Sequence, residues 1–334
     1  MTRSESEANN DLVGVYKGPF LYEGRMGIST EEVPQRYFCT RHLNSEYNPH
    51  PILTWRNRYM GGRAFHSRGW QAPRLSPKLY NTISSQIRLV LDDLYEQVCC
   101  PPSVWEKPDH GDVDFIVVEG EKVTDPTTLA EHIGAQGFIT NGPSTSYAIP
   151  HPEIPKAIVQ IDIRHCPADL FDWQSFTNSY ADLGQVLAFL LRPIRFKITD
   201  KGFFLRQPRV QGKDDLTWLT SDPKAVIGFL GLSENSFQKG FATEYQVFDF
   251  LLSGHLARPT SRPSELRKKD RVLVKKRPMF RRFIEEYLPS LSDKEDGDSG
   301  RWTVPSEARE AALEYFNCRH ECWDNVNDTM TYQS

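Results

Sequence analysis

The sequence lacks the features that would classify it at once. It has no uninterrupted apolar run of about 18 residues, so it predicts no membrane-spanning helix. The first residues, MTRSESEANND, lack the apolar core of a secretory signal, and their acidic character disfavours mitochondrial targeting. A glycine-rich P-loop, a G-x-S-x-G motif and a dinucleotide-binding fingerprint are also missing. We therefore expect a protein of the cytoplasm or the nucleus, with no membrane among its partners.

The chain also has no excess of basic residues. The 40 Lys and Arg residues are outnumbered by 44 Asp and Glu, and the net charge of −4 excludes a generally basic nucleic-acid protein, although not a local basic face. Six cysteines at irregular spacing fit reduced thiols better than a disulfide framework. The 334 residues, 39% hydrophobic and 25% charged, fit a globular chain with one large domain or two medium ones.

The first half of the chain shows mixed helix and strand patterns. Residues 1–11 predict a disordered polar tail, and residues 12–75, rich in aromatics, Pro and Gly, predict short strands and loops. Ser76-Pro77 marks a helix start, and apolar residues at 3–4 spacing predict an amphipathic helix to about residue 97. Four apolar stretches predict strands: 115–119, 137–141, 147–150 and 157–165.

The second half reads as mostly helical. WQSFTNSYADLGQVLAFLL, from residue 173, predicts one helix that ends before Pro193, and four further helices are predicted at 222–234, 240–256, 276–287 and 305–323. The polar stretch 288–300 predicts a mobile loop. We therefore divide the chain into the tail 1–11, an α/β core with its N-terminal extension at 12–190, and a helical C-terminal region at 191–334.

Three carboxylates lie at strand positions where charge is costly. In HGDVDFIVVEG (110–120), Asp112 and Asp114 open an apolar strand and point to the same face. Asp162 lies inside the apolar strand IVQIDIR, and if the two strands are neighbours the three acids converge into a site suited to Mg²⁺. The structural alternative is that Gly-Asp only favours a turn and that Asp162 pairs with Arg164 or His165.

The order of these motifs resembles the nucleotidyltransferase superfamily that includes DNA polymerase β. In that family a Gly-Ser pair at a helix start precedes D-x-D, and a third carboxylate follows on a later strand. Here Ser103 lies nine residues before Asp112, DVD supplies the first two acids, and QIDI supplies the third. The chain is also similar to nucleotidyltransferase-like proteins of fungi and viruses that read SHGDIDxLV, VQVDI and YxDLG. The resemblance covers roughly residues 95–210.

The resemblance implies an α+β fold, with a polymerase β-like mixed-sheet core followed by a helical C-terminal half. It implies transfer of a nucleoside monophosphate from an NTP to an acceptor hydroxyl, with Mg²⁺ or Mn²⁺ as cofactor. Asp112 and Asp114 would hold the metals, and Asp162 would complete the second site and help to deprotonate the acceptor. The acceptor itself is not specified and could be RNA or a small molecule.

Four other residues are candidates for binding the nucleotide. Ser103 and the amides after it would cradle phosphate, and Lys107 could reach a phosphate or be a solvated loop lysine. Tyr180, on the helix that the resemblance places beside the base and sugar, could stack on the base or simply pack in the core. Lys197 is one of three cations in KITDKGFFLR, with Lys201 and Arg206, of which one could neutralise the γ-phosphate.

Pro102 departs from the family pattern, because it stands where the family has Gly and has no N–H to give a phosphate oxygen. Two alternatives to the transferase therefore stay open: an inactive nucleotidyltransferase-fold binding protein and a metal-dependent phosphohydrolase. The stretch 267–282 holds nine basic residues in sixteen. It could bind RNA or another polyanion, act as a nuclear import signal, or form a solvated helical face.

Overall fold

The structure, a computed structural model, describes residues 62–120, 125–207, 214–256, 266–291 and 301–318. The predicted tail, the N-terminal extension up to residue 61, the segment 292–300 of the predicted loop and the last residues of the final predicted helix lie outside these ranges. None of the described helices is both long enough and apolar enough to cross a bilayer.

A five-stranded mixed sheet forms the centre of the first half, so the protein belongs to the α+β class. The strand order is β1-β2-β5-β4-β3. Only β2 and β5 run parallel, and the other neighbours are antiparallel. The elements of this half are α1 (Pro77–Leu94), β1 (Tyr95–Cys99), β2 (Val113–Glu119), α2 (Pro126–His132), β3 (Gly137–Asn141), β4 (Ser144–Pro150) and β5 (Ile158–His165).

Strand β2 is covered on both faces beyond its first residues, as its continuous apolar run predicts. Val113, Phe115 and Val117 share one core with the buried face of α1. Ile116 and Val118 point to the opposite face. The predicted start of α1 is confirmed, since the Ser76 hydroxyl caps the helix by accepting a hydrogen bond from the Leu79 N–H.

The predicted helix end near residue 97 is wrong. Helix α1 stops at Leu94, and the next five residues form β1, an edge strand antiparallel to β2. Tyr95 and Val98 bury their side chains in the core of the sheet. The backbone of β1 forms its hydrogen bonds with the neighbouring strand β2. Tertiary pairing therefore overrides the helical period of the sequence at this point.

The helix predicted from residue 173 is two helices, α3 (Phe171–Thr177) and α4 (Leu183–Leu191). Between them Tyr180 and Ala181 adopt left-handed backbone conformations, with φ of 50° and 60°. The Tyr180 N–H donates to the carbonyl of Pro102 at 2.6 Å. The turn therefore attaches the helical region to the loop that precedes the acidic motif.

The C-terminal region is less helical than predicted, because it contains a three-stranded antiparallel sheet. Its strands are β6 (Phe196–Thr199), β7 (Gly202–Gln207) and β8 (Asp215–Thr220). The hairpin β6–β7 includes the stretch KITDKGFFLR, in which Lys197 lies. Buried Phe196, Phe203 and Leu219 pack this sheet into the core of the surrounding helices.

The remaining helical elements are α5 (Pro223–Phe229), α6 (Glu234–Lys239), α7 (Glu244–Leu252), α8 (Lys268–Lys276), α9 (Pro278–Arg282), a π-helical turn (Phe283–Tyr287), α10 (Leu288–Ser290) and α11 (Pro305–Tyr315). Helices α5, α7 and α11 are shorter than the segments predicted at 222–234, 240–256 and 305–323, whereas the helix predicted at 276–287 is confirmed by the continuous helical stretch 278–290, which extends into the predicted loop. Helices α3 and α4 share one hydrophobic core with these elements. The predicted division at residue 190 therefore runs through a single core.

Candidate metal centre

The parallel pairing of β2 with β5 brings the three predicted acids together. Asp114 is directly opposite Asp162 in the register, and Asp112 lies two residues before Asp114. One carboxylate oxygen from each of the three residues can be chosen so that all three atoms lie within 4.8 Å of one another. The convergence expected from the sequence is confirmed, and the cluster occupies the end of β2 that precedes the apolar run.

The hydrogen bonds of the cluster come from neutral groups. Asp112 Oδ2 accepts from the Gly62 N–H at 3.2 Å. The two oxygens of Asp162 accept from Gln160 Nε2 at 3.0 and 2.8 Å. Within the described ranges, Asp114 has neither a hydrogen bond nor an ion pair. In the part of the chain that the structure describes, no positively charged group in direct contact therefore neutralises the three carboxylates.

The structural alternative for Asp162 is not what the structure shows. The side chain of Arg164 donates to Gln174 Oε1 at 2.9 Å and lies 3.7 Å from Asp200. His165 pairs with Glu119 at 2.6 Å. Both neighbouring basic side chains bond to other residues, so neither of them neutralises Asp162.

Burial raises the pKa values of all three acids, and like charge adds to the effect at Asp114 and Asp162. Loss of hydration is the main cause for each of them, and it raises the pKa of Asp162 to about 6. The pKa of Asp114 lies well above its ordinary range, since the charges of Asp112 and Asp162 add to the loss of hydration. The pKa of Asp112 is also raised, and its hydrogen bond from Gly62 offsets only part of the effect. Closely spaced carboxylates of this kind favour binding of a cation.

The cluster remains accessible from outside. The Asp114 side chain is exposed, and Asp112 and Asp162 are half-buried. Burial by the protein around it nevertheless raises the pKa of Asp114. Because the side chain of Asp114 is exposed, a ligand can reach the cluster there.

Positive side chains surround the cluster without pairing to it. The charge of Lys107 offsets part of the rise in the pKa of Asp112 and of Asp114. Arg74 acts on Asp112, and Arg277 acts on Asp114. Arg74 is itself paired with Asp109 at 2.8 Å and Arg277 with Asp182 at 3.2 Å, so these two charges act on the acids without direct contact.

Three neutral side chains complete the surroundings. Tyr80 and Cys100 are hydrogen-bonded at 3.4 Å, and burial raises the pKa of both. The ring of His110 stacks on Tyr80, with centroids 3.7 Å apart, and burial lowers its pKa to about 4. All three are uncharged at neutral pH, so none of them compensates the acids.

The loop that carries Ser103 is built differently from the family pattern. Residues 100–109 form no helix, so Ser103 is half-buried in an irregular loop rather than at a helix start. The loop is fixed by hydrogen bonds from the N–H groups of Trp105 and Glu106 to the carbonyls of Phe241 and Ala242, at 3.1 and 2.9 Å. The C-terminal half therefore determines the position of Ser103 and Lys107.

Two of the residues predicted to contact the nucleotide, Tyr180 and Lys197, make no contact with the three acids. Tyr180 is 4% exposed, and its ring packs edge-on against Phe237 and Phe241. It therefore packs in the core, and no face of its ring is open to a base. Lys197 is half-buried in β6, opposite Phe204, and no contact joins it to the acids. Its phosphate role stays a prediction.

Sequence reasoning did not single out Arg277. It lies at the corner between α8 and α9, where its Nη1 donates to Asp182 Oδ1 at 3.2 Å. Asp182 Oδ2 accepts from the Phe280 N–H at 3.2 Å, so this buried carboxylate holds both the arginine and the start of α9. The sequence signal was the Asp of YADLG, whose partner nearly a hundred residues away could not be identified without the fold.

Gly62 also becomes visible only in the structure. Its φ of +71° favours glycine, and a side chain there would meet the Gly111 carbonyl at 2.6 Å. This close approach allows the Gly62 N–H to reach Asp112. Comparison with protein-family models and with curated proteins gives no match for this chain.

Proposed function

We propose that the protein is a metal-dependent nucleotidyltransferase that moves a nucleoside monophosphate from an NTP to an acceptor hydroxyl. The observation that carries the proposal is the cluster of Asp112, Asp114 and Asp162, which converges with Asp114 exposed and, among the described residues, with no positively charged partner in direct contact. The surrounding cations Lys107, Arg74 and Arg277 give the same region an affinity for phosphate.

The cluster fits Mg²⁺ or Mn²⁺. Its donors are carboxylate oxygens, the ligand type that hard divalent cations prefer, and its raised pKa values mean that a cation would relieve unfavourable charge. Asp112 and Asp114 would hold the metals, with Asp162 completing the second position. When bound, such ions polarise the triphosphate and lower the pKa of the attacking hydroxyl.

The chain's own residues would position the reactants. Lys107 and Arg277 hold the triphosphate over the acids, and Gln160 fixes the orientation of the Asp162 carboxylate by donating to both of its oxygens. Asp162 accepts the proton of the acceptor hydroxyl. The acceptor oxygen bonds to the α-phosphorus as the bond to the bridging oxygen breaks, and pyrophosphate leaves. Positioning and charge stabilisation supply most of the acceleration in reactions of this type.

The order of elements supports a polymerase β-like core. An edge strand leads through a phosphate-side loop into the strand that begins with D-x-D, and the third acid lies on the adjacent parallel strand. The five-stranded mixed sheet and the C-terminal region that holds the loop are in keeping with that fold.

One observation favours a second candidate, a binding protein that lacks transfer activity. Pro102 has no N–H, and its carbonyl is already bonded to the Tyr180 N–H. The loop before the acids therefore offers a triphosphate one backbone donor fewer than a glycine would. A phosphohydrolase that uses the same acids is distinguished by its products.

Thermal unfolding with Mg²⁺ and NTP tests the proposal. A ligand at about one hundred times its Kd adds about 2.7 kcal/mol to the free energy of unfolding. We expect this stabilisation in the wild type, its loss in Asp114→Asn, and its retention in Asp93→Asn, which removes an exposed carboxylate of α1. Release of pyrophosphate indicates transfer, whereas release of inorganic phosphate indicates hydrolysis. Absence of metal-dependent nucleotide binding in the wild type would contradict the transferase.

A further inference from the structure

The outer surface of α8 carries a dense set of unpaired positive charges. Six basic side chains are exposed on this helix and at its N-cap, and within the described ranges none forms an ion pair: Arg267, Lys268, Lys269, Arg271, Lys275 and Lys276. The single acid of α8, Asp270, is buried and bonded by both terminal nitrogens of Arg192, at 2.6 and 2.9 Å. We call these six residues the α8 basic surface.

Packing explains why the charges all face outward. Asp270, Leu273, Val274 and Arg277 recur at helical spacing on the inner side of α8, and the two apolar residues pack against the main core. Residues 266–291 contain nine basic residues and three acidic ones, a local charge of +6 in a chain whose net charge is −4. Like charges so concentrated repel one another, so a polyanion would relieve the repulsion.

The α8 basic surface ends beside the candidate metal centre. Arg277 follows Lys276 directly and donates to Asp182 Oδ1. Asp182 lies two residues after Tyr180, whose N–H donates to the Pro102 carbonyl in the loop before the acids. From Lys268 to Arg277 the helix extends about 14 Å at a rise of about 1.5 Å per residue. That length matches about four phosphates at about 3.4 Å per nucleotide of one strand.

We propose that the acceptor is a nucleic-acid strand, whose phosphates lie along the α8 basic surface and whose terminal hydroxyl reaches the three acids. This inference rests on the proposed transferase function and specifies its acceptor class. A nucleic-acid strand carries both groups that the structure requires, a regular row of phosphates for α8 and a free hydroxyl for the acids. An acidic protein or a lipid surface supplies charge but no terminal hydroxyl at the end of a phosphate row.

Salt-dependent binding of a fluorescent single-stranded RNA oligonucleotide tests the surface. Measured in EDTA by anisotropy between about 50 and 200 mM salt, contact with about four phosphates predicts a log–log slope of about −2.8. The double variant Lys275→Gln/Lys276→Gln should reduce that slope by about 1.4, since each lost contact removes about 0.7. The matched control Lys78→Gln/Lys239→Gln, which neutralises two exposed lysines of α1 and α6, should keep the wild-type slope.

The outcomes separate this inference from the transferase proposal. Equal slopes for the α8 variant and the control, with melting temperatures unchanged, would show that the α8 basic surface does not bind the strand, whether or not the protein transfers nucleotides. Binding to anionic lipid vesicles with no binding to the oligonucleotide would also overturn it. Asp114→Asn should bind the strand in EDTA at least as tightly as the wild type but lose Mg²⁺–NTP binding. Oligonucleotide binding through α8 in a wild type that binds no nucleotide would contradict the transferase and leave the surface itself intact.

Extension of the oligonucleotide tests the acceptor role directly. With NTP and Mg²⁺ the strand should gain nucleotides at its terminal hydroxyl, and a strand that lacks this hydroxyl should remain unchanged. The α8 double variant should extend the strand more slowly at low strand concentration and recover at high concentration, because it loses affinity rather than chemistry. Equal extension by the variant at every strand concentration would contradict the proposal.

Discussion

Asp114 and Asp162 are directly opposite each other in the parallel pairing of β2 with β5. Neighbouring strands lie about 4.8 Å apart, and like charges at opposed positions on one face destabilise a sheet. The pair therefore lowers the stability of the metal-free protein. A bound divalent cation would reverse the sign of this interaction.

Asp114→Asn should stabilise the metal-free protein near neutral pH and abolish binding of Mg²⁺. The amide keeps the size of the side chain but removes one charge from the cluster, which lowers the pKa values of the remaining acids. Each pKa unit recovered by a neighbour corresponds to about 1.4 kcal/mol. The measurements are urea unfolding in EDTA and calorimetric titration with Mg²⁺. Lower stability with metal affinity intact would show that Asp114 is a structural residue.

The metal-free protein should lose stability as the pH rises from about 4 to about 6. The folded pKa of Asp162 is about 6, above its ordinary value of 3.8, so in this window the folded state binds more protons than the unfolded state. The contribution of the group is complete at low pH and disappears as the pH passes through the folded pKa. Asp114 and Asp112 shift in the same direction.

Unfolding free energies in EDTA across this pH range check the sign. The decline should be steeper in the wild type than in Asp114→Asn, because the variant lacks the strongest like-charge interaction. Saturating Mg²⁺ should remove the decline, since the metal binds the deprotonated acids more tightly as the pH rises. Parallel profiles for wild type and variant would contradict the like-charge explanation.

Local patterns predicted the cluster of three acids well because its geometry depends on two short-range rules. Side chains two apart on a strand share a face, which places Asp112 with Asp114, and the apolar runs identified both strands. The residues that support the centre were harder to predict. Gly62 and Arg277 lie far from the acids in sequence, and only the folded chain brings them near.

The wrong helix boundaries have a common physical cause. Residues 95–97 continue the helical period of α1, yet an unpaired edge of β2 offers them backbone hydrogen bonds that a single sequence does not reveal. The turn at Tyr180 and Ala181 interrupts another apolar pattern that fits a helix, because Asp182 is used to hold Arg277 and the start of α9. Long-range contacts therefore determine the backbone structure at both places.

Arg277→Gln should weaken NTP binding and also destabilise the protein, because it leaves the buried Asp182 carboxylate without its cation. Breaking a buried pair costs about 3–5 kcal/mol, and the partial exposure of Arg277 reduces this figure. A second change, Asp182→Asn, removes the unpaired charge while keeping an oxygen for the Phe280 N–H. The double variant should therefore recover stability.

Nucleotide affinity distinguishes a phosphate contact from a structural ion pair. If Arg277 binds the triphosphate, the double variant should be stable but still bind NTP weakly, and Asp182→Asn alone should show intermediate affinity because the guanidinium is less well positioned. Titration calorimetry with Mg²⁺–NTP and urea unfolding provide the two readouts. Recovery of both stability and affinity in the double variant would mean that Arg277 acts only through the fold.

Pro102→Gly should tighten NTP binding if the loop before the acids contacts phosphate. The side chain of Pro102 is exposed, and its carbonyl, which accepts from the Tyr180 N–H, is kept in the variant. A recovered backbone N–H to a charged oxygen is worth about 1.5–3 kcal/mol, less about 0.5–1 kcal/mol for the added flexibility of glycine. Pro102→Ala restores the N–H without that flexibility, so it should bind at least as tightly as the glycine variant. Calorimetric titration of the three proteins with Mg²⁺–NTP measures the difference. Tight binding by the wild type that neither variant improves would show that the loop holds phosphate without an amide at residue 102, and no binding by any of the three would favour the binding protein over the transferase.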